Sequence, residues 1–260
     1  MTPATTEGLY LYAVTAGGAE GDLGTGIDDA RLHRVSARDL AAVVHRHTSG
    51  PYGGADEDVR RRVVEHSEVV DRLWQAGAVL PVSFNVIVAG NAQAPARRQV
   101  AGWLDRHAPR LTARLDQVTG RGELQVEIGL EQHEAAAGDP RVLALRAELE
   151  ERPAGVRRLM TKRLEQLERD ATAALAGDLY PELRRRLVAT APDIAENRRM
   201  HPERGVVPVL GLSLLVPLDQ VDQVGIELSR IRAELPAVRI RYVGPWPPYS
   251  FADLPGTTST

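Results

Sequence analysis

The chain has 260 residues, of which 43% are hydrophobic and 26% charged, enough for one large or two ordinary cores. Its formal net charge of −3 gives no general attraction to nucleic acid or to an anionic membrane. There is no cysteine, which excludes a disulfide frame and a cysteine-based zinc site and fits an intracellular setting. Residues 1–7 lack a basic start and an apolar centre, so they do not read as a secretory leader. No apolar run approaches the ~20 residues that span a bilayer.

In chain order, residues 8–15 form an apolar, aromatic strand and 16–26 a glycine-rich loop. The loop follows a strand, as a nucleotide-binding turn would. It lacks G-x-G-x-x-G spacing and no amphipathic helix follows directly, so it is expected to be a linker. Residues 31–36 and 40–45 read as hairpin arms joined through Ala37, Arg38 and Asp39. Asp56 is expected to cap a helix carrying Val59, Val63, Val70, Leu73 and Trp74, ended by Gly77. Residues 78–88 form one strand, or two broken near Pro81. Residues 93–118 form a helix with Trp103, Leu104, Leu111 and Leu115 on its apolar side and a kink near Pro109.

A turn at residues 119–122 is the expected domain boundary, giving a mixed α+β domain at 1–120 and a second domain at 121–260. Leu124, Val126 and Ile128 alternate with polar residues, as in a half-buried strand. Residues 141–176 are helical, interrupted at Pro153 and Gly155, and 181–190 form another helix or a helix leading into a strand. Residues 192–205 are polar and belong to a hairpin, and 206–216 form a β-branched strand stopped by Pro217. Leu218, Val221, Val224, Leu228, Ile231 and Leu235 recur at helical spacing until Pro236. Residues 238–242 alternate apolar and charged, a strand with one buried face. The order β, long α, β, β, α, β suits a ferredoxin-like layer of helices on an antiparallel sheet, so the fold class is α+β.

Few residues carry recognisable chemistry. No G-x-x-x-x-G-K-[ST] or G-x-S-x-G is present. His45 and His47 share one side of a strand and would begin a metal site, but no carboxylate stands at a matching interval, so they are expected to be surface histidines at a strand end. His133–Glu134 lacks the second histidine of H-E-x-x-H. Arg157, Arg158, Lys162, Arg163 and Arg184–Arg186 are interleaved with glutamates, the pattern of a solvated helix face or of a surface for an acidic partner. No catalytic, cofactor or metal residue is assigned.

The chain closes on Gly244-Pro245-Trp246-Pro247-Pro248-Tyr249-Ser250-Phe251. Its prolines make a stiff, extended ribbon that cannot run on as a central strand. Trp246, Tyr249 and Phe251 are expected either to fold back and close the gap between the two domains, or to touch another protein. This GPWPPYSF ending, behind a strand, helix and strand, resembles the C-terminal signature of the gas vesicle protein F/L family. The opening strand at Leu9–Val14 and the helix from His66 leading to Val79-Leu80-Pro81-Val82-Ser83-Phe84 are similar to that family too, though Ser83 and Asn85 stand where it usually has Arg and Gly. The resemblance implies an accessory or minor structural protein of gas vesicle assembly, at the vesicle or in the cytoplasm. It implies binding of the hydrophobic shell protein and of other accessory proteins, limiting shell-protein aggregation during nucleation, with no cofactor, nucleic acid or membrane insertion. Trp246, Tyr249, Phe251, Arg239 and Arg241 are the candidate contacts, the arginines lying at the rim of a sheet edge or groove. The competing expectation is an enzyme or ligand-binding protein on the same ferredoxin-like frame.

Overall fold

A computed structural model describes residues 8–18, 22–197, 200 and 203–256. The chain folds into two compact units, Met1–Glu123 with Trp246–Thr260, and Leu124–Pro245. The first break falls close to the expected turn. The C-terminal segment, expected in the second domain, groups with the first.

In the first unit β1 (Gly8–Ala16) is central, paired antiparallel with β3 (Leu40–His47) on one side and with β4 (Val79–Pro81) and β5 (Ile87–Ala89) on the other. An antiparallel hairpin adds β2 (His33–Ala37) beyond β3, turning at Arg38 with φ 51°. The helices α1 (Asp56–Ala76) and α2 (Ala96–Val118) both pack against β1, so nearly the whole strand is buried. That explains its continuous apolar and aromatic run. The region around Pro81 is thus two short strands. Asp56 is the first helical residue and not the cap; Ala55 holds that position, and Asp56, Glu57 and Asp58 act on the helix dipole instead. Pro109 lies inside α2 without ending it.

The second unit follows β6 (Arg121–Glu131) through a short α3 (Gln132–Ala135), α4 (Pro140–Glu150) and α5 (Ala154–Val188) to β7 (Asp193–Glu196) and β8 (Val206–Pro217). It closes with α6 (Val221–Glu234) and β9 (Val238–Trp246). The sheet order is β7-β8-β6-β9. Asp139 caps α4 by accepting hydrogen bonds from the amides of Arg141 and Val142, with Pro140 in the first turn. Leu124, Val126, Ile128, Leu183, Leu187, Leu212, Leu214, Val224 and Ile231 form one aliphatic core under α5 and α6.

Three expectations are corrected here. β6 is not half-buried: Glu123 and Glu127 are 4% and 7% exposed, because Ser250 covers the first and Arg241 lies against the second. α5 passes through Pro181 as one helix, and the residue whose carbonyl meets the ring is Gly177, which has no side chain to crowd the bend. Leu218 lies in a 3-10 turn ahead of α6 and is exposed, so it is not part of the buried face. The expected hairpin at residues 192–205 appears as β7 paired antiparallel with β8; residues 198, 199, 201 and 202 lie outside the described residues.

Candidate functional site

The C-terminal segment is held on the first unit by specific polar contacts. The carboxylate of Glu123 accepts from the Ser250 amide at 2.8 Å and from its hydroxyl at 2.6 Å. Trp103 donates its indole N–H to the carbonyl of Pro255 at 3.1 Å. Asp253 pairs with Arg110 at 2.6 Å and Arg114 at 3.3 Å, and these guanidiniums hold its carboxyl below the usual range. Phe251 is buried, together with Pro247 and Pro248, while Trp246 is half-buried. Tyr249 is 38% exposed at its surface. Its hydroxyl is set among Ser67 and Asp71 of α1, and burial of that end pushes the phenol up to about 12. Tyr249–Phe251 make a 3-10 turn packed beside β4.

Arg239 and Arg241 lie elsewhere, in the second unit, on the outer strand β9. They are exposed, and they pair with Glu134 at 3.3 Å and with Glu127 at 3.6 Å. With Ile240, Val206, Pro208 and Met200 they border a small cavity of about 160 Å³. Tyr242 borders a shallow groove with the exposed Ile226 of α6. β9 runs past Tyr242 to Trp246 and contains a cis Gly244–Pro245 bond. A proline is tolerated there because the strand is at the edge. The candidate residues therefore fall into two groups: Trp246, Tyr249 and Phe251 in the first unit, Arg239 and Arg241 in the second.

The histidines lie deeper than expected. His45 and His47 are 1% and 7% exposed, not surface residues, because the rings of Tyr10, Tyr12 and Tyr52 pack on them. His66 Nε2 lies 3.0 Å from the Val82 carbonyl, which can only accept, so this nitrogen carries the proton. Tyr10 then donates to His66 Nδ1 at 3.0 Å, and its oxygen accepts from the Asn85 amide. Tyr12 oxygen accepts from the Ile27 amide, and its hydroxyl meets His45 Nδ1 at 2.8 Å. Tyr52 closes the set on His45 Nε2 at 3.2 Å. Burial lowers His45 and His66 to about 4 and raises the phenols of Tyr10 and Tyr12. These are neutral rings in a satisfied network. Among the described residues no group of three or more His, Cys, Asp or Glu is placed to hold a metal ion, and no helix is long and apolar enough to cross a membrane.

Glu123 and Trp103, which hold the C-terminal segment, were not singled out in the sequence. Glu123 gave one usable signal: an acidic residue opening an apolar strand that turns out to be internal. Trp103 read only as an apolar-face residue of α2.

Taken together, the fold is that of an α+β protein with one sheet in each of two units and a proline-rich aromatic segment held on the first. Residues 8–253 match the family described as gas vesicle synthesis protein GvpL/GvpF, and the chain belongs to that family. Gas vesicle protein L2 of Halobacterium salinarum is 33% identical, with 97% of this chain and 96% of that protein aligned. Gas vesicle protein L of Haloferax mediterranei is 26% identical over 88% of this chain and 72% of that protein. The crystal structure of the gas vesicle protein GvpF from Microcystis aeruginosa superposes with a TM-score of 0.67 at 19% identity, over 95% of this chain and 99% of that one. That of GvpF from an Anabaena species gives 0.68 at 17% identity, over 98% and 100%.

Proposed function

We propose that this protein is an accessory or minor structural protein of gas vesicle assembly, acting at the vesicle and in the cytoplasm. It binds the hydrophobic shell protein, limits its aggregation during nucleation, and works beside other accessory proteins without catalysis or a cofactor. The observation that carries this reading is the edge position of β9, whose outer side has no strand among the described residues. An edge strand offers unpaired backbone groups to an extended partner segment, and apolar side chains beside it supply affinity. Here Ile240 and Tyr242 lie on the core side of the strand, with the exposed Ile226 of α6 beside Tyr242. Arg239 and Arg241 stand at the rim, where charge deters pairing of the edge with itself. The β-α-β-β-α-β order and the β7-β8-β6-β9 arrangement support a ferredoxin-like reading of Leu124–Pro245, which presents this edge.

The test is light scattering of the purified shell protein as it is diluted from denaturant, with and without this chain. Suppression of scattering by the wild type, and its loss in the Arg239→Glu/Arg241→Glu variant with an unchanged fold, is the expected result. Scattering unaffected by the wild-type chain overturns the reading.

A further inference from the structure

A second feature lies in the first unit, on residues none of which belongs to β9. Between β5 and α2 is a cavity of about 560 Å³, within the roughly 300–1,000 Å³ typical of binding sites. Its apolar wall is Leu11, Val82 and residues 86–88, faced by Trp103 and closed at one lip by Pro255 and Gly256. The Trp103 ring is fixed as a wall by its hydrogen bond to Pro255.

Three observations bear on what fits. First, Arg98 and Arg106 line the cavity, and among the described residues no Asp or Glu does and neither arginine side chain has an ion pair or hydrogen bond. They stand either side of Gly102 on α2, about 12 Å apart along the helix axis. Second, Gly102 lies inside a helix, where glycine is unfavourable, and no tight turn or close backbone approach requires it. A Cβ at Gly102 would meet nothing within 4 Å, so its absence leaves open space at the cavity wall between the two arginines. Third, β5 pairs only with β1, leaving its other side without a strand among the described residues.

We infer that this groove binds an extended, apolar peptide segment that carries two carboxylates on one face. Apolar side chains fill the space over Gly102 against Val86, Val88 and Trp103. One carboxylate meets each arginine. At about 3.4 Å per residue, carboxylates four positions apart span the same ~12–14 Å and point to the same side of a strand. Charge complementarity favours this occupant over a neutral segment, and two separated cations favour it over a small acid with a single carboxylate. The inference stands apart from the assembly reading, since none of these residues lies on β9.

The test titrates the full chain with a capped peptide Glu-Val-Ile-Val-Glu, its Gln-Val-Ile-Val-Gln analogue, and decanoate, by calorimetry and tryptophan fluorescence. The acidic peptide is expected to bind saturably and at least about tenfold more tightly than the amide analogue, with affinity falling as salt rises. Gly102→Leu fills the groove with a better helix former, so it should weaken binding about tenfold or more while the thermal midpoint holds or rises. If that variant misfolds, Arg98→Gln/Arg106→Gln decides, and it should show the same loss. Absence of saturable peptide binding, equal binding of the amide analogue, or binding of decanoate alone overturns the inference. Unaltered peptide affinity in a folded Gly102→Leu chain does so as well.

Discussion

The face of the first sheet that packs on α1 is built from Tyr10, Tyr12, His45 and Val43, whereas the helix-covered face of the second is built from Leu124, Val126, Ile128, Leu212 and Leu214. Both sets are almost wholly buried. The aliphatic core is stabilised mainly by area removed from water, which tolerates volume-conserving changes of shape. In the aromatic core each buried hydroxyl and imidazole nitrogen needs a partner at a set place, so a change of one atom matters. The first unit is therefore the geometrically specified half, and it is also the half that anchors the C-terminal segment.

The largest effect that separates the two regions is expected at that anchor. Phe251 is 4% exposed, and truncating a buried phenylalanine costs about 3–5 kcal/mol. Phe251→Ala should lower the thermal midpoint and reduce amide-exchange protection in β1 and β3 before it does so in β8. Trp246→Ala should cost less, since Trp246 is only half-buried. Equal loss of protection in both sheets would mean the units do not differ in this respect.

Acid gives the next contrast. The folded values of His45 and His66, about 4, lie below the unfolded value of 6.5. The unfolded chain therefore binds more protons in this window, and stability present above pH 6.5 is lost as pH falls through 4. The full loss is about 3 kcal/mol per ring. The lowered carboxylates of the second unit, such as Glu131, Asp139 and Glu182, lose their stabilisation only at lower pH. Between pH 6.5 and 4.5, exchange protection should thus fall in β1 and β3 while β6 and β8 hold. Protection falling in parallel in both sheets would break the comparison.

A smaller pair of substitutions tests the specification directly. Tyr10→Phe barely changes volume but leaves His66 Nδ1 and the Asn85 amide without their partner, at about 1–3 kcal/mol. Ile128→Val removes a methylene from the aliphatic core and should cost about 0.5–1.5 kcal/mol. Urea unfolding of both variants gives the ranking, and a costlier Ile128→Val would contradict it.

Much of the fold was legible because the strands and helices announce themselves by period. What was hidden was pairing. His45 and His47 read as surface residues because a histidine looks polar until Tyr12 and Tyr52 meet it from distant positions. The alternation of β6 read as one wet face because the sequence does not show Ser250 arriving at Glu123 or Arg241 near Glu127. Residues 181–190 read as a separate element because the sequence does not show the packing of Leu183 and Leu187 that holds α5 together past Pro181. The aromatic ending was legible as a docking segment, but not the unit to which it docks.

The smallest expected effect on stability concerns the proposed binding edge, and it is the one that separates folding from function. Arg239 and Glu134 are 47% and 45% exposed at the side chain, so solvent screens their pairing. Arg239→Ala should shift stability by no more than about 0.5 kcal/mol. Arg241 is also exposed, but its partner Glu127 is 9% exposed at the side chain, and losing the guanidinium leaves that carboxylate with Gln125 Nε2 at 3.4 Å. Arg241→Ala should therefore cost slightly more, up to about 1 kcal/mol. If β9 is the surface that captures an apolar segment, both variants should retain their urea midpoints nearly unchanged and yet suppress shell-protein scattering less well than wild type. Phe251→Ala, in contrast, should lose suppression only in proportion to the unfolded fraction. Full suppression by a folded Arg239→Ala/Arg241→Ala chain would remove the arginines from the proposed contact and leave the aromatic segment as the remaining candidate.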